Sequence, residues 1–341
     1  MKKIILLATG GTIASRRTES GLTPQLPPQQ LLDFIPEAHS FCQVEAIELF
    51  QIDSTNFQPG HWLQLARAIR EHYEQCDGFV ICHGTDTMAY TAAALSYLVQ
   101  ASPKPIVVTG AQRPIDEDST DARVNLLDSL RLACDSRAHD VLLVFGGKVI
   151  AGTRAEKMFT KSDQAFASIN FPNLAAIRDG RIYFYFPPLS PPDGPVFYDR
   201  LNGRVLLLKL IPGLDAQLLS FAQERCDALI VEGFGVGGLP ARLEDGVQRL
   251  VESGKTVVMT TQVTHEGSDM TVYRVGHVAK HRFGLLETFD MTLEATVAKL
   301  MWILAQTREP SEIRRFFYTP INHDLMVTEA RTTEKGALSL P

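Results

Sequence analysis

Two short turns hold the residues best suited to do chemistry. Thr9-Gly10-Gly11-Thr12 follows the apolar run 4–8, and His83-Gly84-Thr85-Asp86-Thr87-Met88 follows the apolar run 79–82. In an open parallel sheet, ligands collect beyond the carboxyl ends of the strands. Two threonine hydroxyls at two strand ends can therefore face one small site. A hydroxyl of that kind is a weak nucleophile and needs a neighbour that lowers the cost of losing its proton. A lysine with its charge perturbed by burial or by neighbours can serve. Lys148, Lys157 and Lys161 follow the fifth strand-like run and are within reach in the sequence.

Each motif also has a plainer reading. Gly10 and Gly11 remove side chains and let a ligand approach the backbone closely. The same glycines would serve a simple strand-to-loop turn. A phosphate cradle is a further alternative, but the dinucleotide pattern Gly-x-Gly-x-x-Gly and the Gly-Lys-Ser/Thr of a P-loop are both missing. Thr85 falls where a strand ends and helix amides begin, a place that favours negative charge. Asp86 could be the N-cap of that helix, or it could receive the ammonium of a zwitterionic substrate.

The elements that must position these turns follow from periodicity. Strand-like runs lie at 3–8, 44–50, 78–82, 106–109 and 141–145. Helical spacing covers 61–73, 88–99 and 122–134. Alternating strands and helices predict an α/β fold with a parallel sheet covered on both faces. Five prolines between Pro187 and Pro195 can continue neither a helix nor an inner strand. They mark a stiff linker over 187–203 between an N-terminal domain, 1–186, and a smaller α/β domain, 204–341. The second domain is predicted to hold strands at 205–210, 228–232 and 256–260 and helices at 214–223, 243–253 and 292–306. The tail beyond residue 329 is polar.

Bulk properties exclude several classes of function. The 341 residues are 45% hydrophobic and 21% charged, as in an ordinary globular chain. A net charge of −6 argues against broad nucleic-acid binding. No run approaches the ~20 apolar residues of a membrane span, and the short N-terminal run reads as a first buried strand rather than a secretory signal. Five cysteines form no Cys-x-x-Cys pair, and nine histidines show no His-Glu-x-x-His spacing. A reduced, cytoplasmic protein without metal or organic cofactor is the expectation.

Further motifs follow in order: Asp53-Ser54, Val108 to Pro114 (Val-Thr-Gly-Ala-Gln-Arg-Pro), Asp121 to Leu126, Lys157 ahead of Phe166-Ala167-Ser168, Thr260-Thr261-Gln262, and Met291 to Thr296 (Met-Thr-Leu-Glu-Ala-Thr). Together with the two threonine turns they resemble the bacterial-type L-asparaginase family over nearly the whole chain. Length and N-terminus resemble its cytoplasmic, type I branch. The resemblance implies hydrolysis of L-asparagine to L-aspartate and ammonia. Thr12 would attack the amide carbon, while Thr85 with Asp86 and Lys157 would form the second catalytic group. Ser54 and Asp86 would hold the α-carboxylate and α-ammonium. Gly11, Thr55, Gly84 and the backbone of Ala111 would line the pocket, and the Thr85 amide would serve as an oxyanion donor. A homodimer or homotetramer is implied, because family sites are completed across subunits.

The chain departs from the family pattern in places. Leu22 stands where many members carry a tyrosine beside the first threonine, in a polar segment with Gly21 that otherwise reads as a lid. Tyr273, supplied by a neighbouring subunit, is the candidate substitute. An interface tyrosine without catalytic work is its plainer reading. The loop 233–238 (Gly-Phe-Gly-Val-Gly-Gly) reads as a tight turn and lacks an asparagine that members often place there. Glu232 and Val263 stand where allosteric type I enzymes carry an arginine and a cysteine, so no activation by asparagine is expected. The rival readings are a glutaminase or mixed amidase, the ammonia-producing subunit of a tRNA amidotransferase, and a non-catalytic amino-acid sensor.

Overall fold

A computed structural model describes residues 1–18, 21–187, 194–272 and 283–326. The chain divides into two compact units, Met1–Asp199 and Arg200–Pro341. The first unit is built on an eight-stranded sheet. Its order across the sheet is Arg181–Phe184, Ala175–Arg178, Lys148–Ala151, Val141–Phe145, Ile106–Thr109, Gly78–Cys82, Lys2–Gly10 and Cys42–Ile52. The last five are mutually parallel, and the first three extend one edge antiparallel.

Ile4 to Leu7 and all of Gly78–Cys82 are buried. Strands covered on both faces carry unbroken apolar runs rather than alternating ones, which is why these two are plain in the sequence. The helix Pro59–His72 begins with proline at its first position and points Trp62, Leu65, Ala66 and Ile69 inward, at i, i+3, i+4 and i+7. Met88–Leu98 is buried on nearly every side, as a core helix must be if it is apolar all round.

In chain order, the five parallel strands run second, first, third, fourth, fifth. The chain leaves the first strand toward one edge, then crosses back to the other side of it. The sheet therefore has a topological switch point between Lys2–Gly10 and Gly78–Cys82, where ligands collect in open α/β sheets. Both threonine turns leave from these two strands.

Several local features differ from the sequence reading. The segment after Thr12 forms an antiparallel hairpin, Ser15–Thr18 against Gly21–Pro24, with Leu22 opposite Arg17. Within the proline-rich stretch, Val196–Phe197 pairs with Val99–Gln100 of the first unit. Tyr273 and the tail beyond 329 lie outside the described residues.

The second unit has a four-stranded parallel sheet, Val205–Lys209, Ala228–Gly233, Thr256–Thr261 and Leu286–Glu287. Its core gathers Leu229, Val231, Leu243, Val247, Val257 and Met259. The helix expected from 214 spans Leu218–Arg225, because a turn over 211–214 precedes it. Thr292 caps Leu293–Gln306 by accepting the Ala295 amide at 3.1 Å. The glycine-rich loop is a tight turn: Gly235 and Gly237 have φ of 52° and 97°, and Phe234 bridges Gly238.

Candidate active site

The site grows from the ends of four parallel strands. Ala8 is in register with Cys82, and the Thr9 hydroxyl donates to the Cys82 carbonyl at 3.0 Å, so the first and third strands end together. Beyond them the two turns touch. A Cβ on Gly11, whose φ is 78°, would lie 2.4 Å from Gly84 Cα, and one on Gly84 would lie 2.6 Å from Ser54 Oγ. Only glycine permits this approach. It brings three chain segments to one point, with Thr12 and Thr85 each the next residue of its turn. Thr12 is half-buried at the start of the short helical turn Thr12–Ala14, and Thr85 is buried.

Ser54 arrives from the end of the second strand. Its hydroxyl oxygen accepts the Asp86 amide at a long 3.3 Å, and its carbonyl accepts the Thr87 hydroxyl at 2.8 Å. Accepting from Asp86 leaves the Ser54 hydroxyl proton available for an anion. Thr55 is exposed, and its hydroxyl and amide both donate to Asp53 Oδ1 at 2.9 Å.

Lys157 ends the strand Ala155–Lys157, which pairs with Phe166–Ser168 in a short hairpin. Its Nζ donates to Thr85 Oγ1 at 2.7 Å and to Asp86 Oδ1 at 2.6 Å. The Asp86 side chain is 56% exposed, so this pair adds little to stability. Its consequence is chemical, because a cation against a hydroxyl oxygen favours the alkoxide. Asp86 does not cap the helix. Thr87 occupies the N-cap position, without a side-chain capping bond, and the carboxylate turns to Lys157 instead. The other two candidate lysines lie elsewhere: Lys148 donates to the Phe166 carbonyl, and Lys161 is exposed.

The turn after the fourth strand forms a further wall. Ala111 is fully buried. Asp121 accepts the Gln112 amide at 2.9 Å and the Arg113 amide at 3.0 Å, and Asn125 Nδ2 donates to the Gly110 carbonyl at 3.0 Å. Burial pushes the Asp121 carboxyl above its ordinary pKa, against the opposing pull of those amides. Cys82, beneath the turns, is pushed up to about 12 by burial and is inert at neutral pH.

The structure thus brings Gly11, Ser54, Gly84, Thr85, Asp86 and Lys157 to one place, with Thr12 adjoining. Sequence reasoning left Thr87, Asp121 and Asn125 without roles. Their work is to bond backbone across loops, and no spacing signals that. In the second unit, Gln262 donates to the Leu210 and Glu232 carbonyls, and the Thr261 hydroxyl bonds the Gly235 carbonyl. These contacts account for the Thr-Thr-Gln motif as architecture.

Comparison with known proteins shows the family. The family model "Asparaginase, N-terminal" matches residues 3–190, and "Glutaminase/Asparaginase C-terminal domain" matches residues 204–317. An L-asparaginase of Thermococcus kodakarensis is 37% identical over 316 residues, covering 92% of this chain and 96% of that protein. A solved structure of a thermostable L-asparaginase from Thermococcus kodakarensis superimposes with a TM-score of 0.89 at 35% identity over 96% of this chain and all of that one. L-asparaginase 1 of Escherichia coli is 35% identical over 92% of this chain and 95% of that protein. A glutamyl-tRNA(Gln) amidotransferase component of Pyrococcus furiosus is 35% identical over 93% of this chain but 75% of its own length. With both models matched in order over most of the chain, the protein belongs to the asparaginase family, among the amidohydrolases.

Proposed function

We propose that the protein hydrolyses L-asparagine to L-aspartate and ammonia through an acyl-enzyme. The observation that carries this reading is Lys157 Nζ placed between Thr85 Oγ1 and Asp86 Oδ1, at 2.7 and 2.6 Å. Thr12 Oγ1 attacks the side-chain amide carbon and gives up its proton. The tetrahedral carbon collapses, the C–N bond breaks, and the nitrogen leaves as ammonia after taking a proton. An ester to Thr12 remains. Water then attacks the ester carbon, the Thr12 oxygen recovers a proton, and aspartate departs.

In the second half the attacking water passes a proton to Thr85 Oγ1 as the Thr85 hydroxyl proton moves on to the departing Thr12 oxygen. Lys157 stabilises the negative charge that Thr85 Oγ1 carries during this exchange, and Asp86 keeps the ammonium in place. General acid–base help of this kind contributes ~10²–10⁴-fold. The Ser54 hydroxyl receives the α-carboxylate. The exposed Asp86 oxygen not facing Lys157 receives the α-ammonium. The Ala111 backbone closes the side of the pocket, and the Thr85 N–H faces the developing oxyanion. Gly11 and Gly84 keep the floor narrow. Thr55 borders the carboxylate end, where its exposure leaves it the weakest contributor.

The chain works as a cytoplasmic homodimer or homotetramer with two domains, 1–186 and 204–341, joined by the 187–203 linker. Tyr273 reaches Thr12 from a neighbouring subunit. Similarity to the amidotransferase component favours a second reading, ammonia production for a partner enzyme. Steady-state ammonia release from L-asparagine and L-glutamine separates the alternatives. Asparagine is expected to be the better substrate by kcat/KM, with glutamine disfavoured by roughly 10–200-fold, the range one methylene gives. Release from neither amide would reject the reading.

A further inference from the structure

Beneath the catalytic turn lies a buried polar chain that the mechanism above does not use. Trp62 Nε1 lies 2.9 Å from Thr91 Oγ1, Thr91 Oγ1 lies 2.9 Å from His83 Nε2, and His83 Nδ1 lies 2.7 Å from the Gly84 carbonyl. His83 and Thr91 are fully buried, and Trp62 is 5% exposed. The Phe57 ring covers the imidazole at 4.4 Å between centroids.

The direction of every bond is fixed from both ends. An indole N–H only donates, so Thr91 Oγ1 accepts from Trp62. At the other end a carbonyl only accepts, so His83 Nδ1 must carry hydrogen. A neutral imidazole then has its lone pair on Nε2, and the Thr91 hydroxyl donates to it. Burial keeps this ring neutral, holding its pKa down to about 4 against the Gly84 bond that raises it. No donor is wasted and no acceptor faces another.

We propose that Thr91 and Trp62 are positioning residues that act through His83 on the peptide between Gly84 and Thr85. The inference rests on the hydrolase reading above. No cis peptide occurs among the described residues, and in a trans peptide the C=O and the following N–H point in opposite directions. Holding the Gly84 carbonyl on the His83 side therefore turns the Thr85 N–H away from it. Thr85 lies at the junction where Gly84 meets Gly11 and Ser54. Glycine at 84 leaves this peptide freer to rotate than any other residue would, so an outside restraint is needed. The chain supplies it from two helices, Pro59–His72 and Met88–Leu98.

The test compares Thr91→Val, which keeps the shape and removes the hydroxyl, with Thr91→Ser, which restores it. Both are assayed for asparagine turnover well below their melting midpoints, beside the unaltered protein. Losing an oxyanion donor outright costs ~10²–10³ in rate, so misaiming one should lower kcat about tenfold in Thr91→Val. KM should stay within about twofold, the signature of an interaction made in the transition state. Thr91→Ser should recover most of the rate. Full turnover in Thr91→Val, or equal losses in both variants, would overturn the proposal. Nitrogen-15 NMR of histidine-labelled protein, with His83 assigned by substitution, reads the tautomer without any change to Thr91. A neutral Nδ1–H ring through pH 5–8 supports the relay, and an Nε2–H ring overturns it. If the unaltered protein releases no ammonia, the hydrolase reading fails, and the tautomer measurement still decides the relay.

Discussion

At the scale of single residues, the proposed mechanism turns on what Lys157 does to its two neighbours. Lys157→Met keeps length and removes charge. Turnover is expected to fall ~10²–10⁴-fold, the range for loss of acid–base assistance, with a smaller change in KM. A variant within tenfold of the unaltered rate would contradict the role. Ser54→Ala should act differently. A hydrogen bond to a charged group contributes ~1.5–3 kcal/mol, so KM for asparagine should rise roughly 10–100-fold with kcat less affected. Steady-state kinetics at saturating and limiting substrate separates the two patterns. Gly11, Gly84 and Thr85 were legible in the sequence, because the two strand-end motifs announce themselves by composition, whereas Ser54 was named only through the family resemblance. The bond from Thr91 to His83 and Trp62 was not. It joins residues eight and twenty-nine positions apart, two inside helices and His83 in the turn after a strand, and each looks like ordinary core in its own segment.

At the scale of elements, the legible parts are those whose burial is two-sided. Gly78–Cys82 and Val141–Phe145 are buried at every position, so an apolar run marks them and turn residues bound them. The hairpin that carries Lys157 is different. Ala155–Lys157 spans three residues, too few for any period, and its position depends on pairing with Phe166–Ser168. The lysine was therefore chosen over Lys148 and Lys161 through family resemblance and not through local pattern. The antiparallel edge Ala175–Arg178 and Arg181–Phe184 also escaped, since its alternating half-exposed residues give a weak signal. In the second unit the Thr292 cap is a local device with a local cost. Thr292→Ala should destabilise the chain by about 1 kcal/mol. Urea denaturation monitored by circular dichroism checks this, and an unshifted midpoint would show that the cap contributes nothing.

At the scale of the whole molecule, charge and assembly become measurable. Burial lowers the His83 pKa from 6.5 to about 4. Between those values the unfolded chain binds a proton that the folded chain refuses. This contribution is complete above pH 6.5 and is lost as pH falls toward 4, at most about 3 kcal/mol. Asp121 and Asp128, raised by burial, work in the opposite sense as they protonate. The His83 part is isolated by His83→Gln, which should flatten the fall in stability between pH 6.5 and 4. An unchanged slope would contradict it. Light scattering of the purified chain is expected to give a dimer or tetramer, and rate against asparagine should be hyperbolic, on the expectation from family resemblance that Glu232 and Val263 replace the arginine and cysteine of an allosteric site. A monomer with full activity would remove the need for Tyr273 from a neighbour.

Two threonines at adjoining strand ends, one of them bonded to Lys157, are the groups proposed to cleave the amide of asparagine. Ammonia release from L-asparagine by the unaltered chain, by Thr12→Ala and by Thr85→Val, measured side by side on folded protein, is the decisive comparison. Steady release by the unaltered chain is expected, with a loss of at least ~10³-fold in each variant, as for members of a catalytic unit that act together. Release in either variant near the unaltered rate would show that its threonine does not take part in the chemistry.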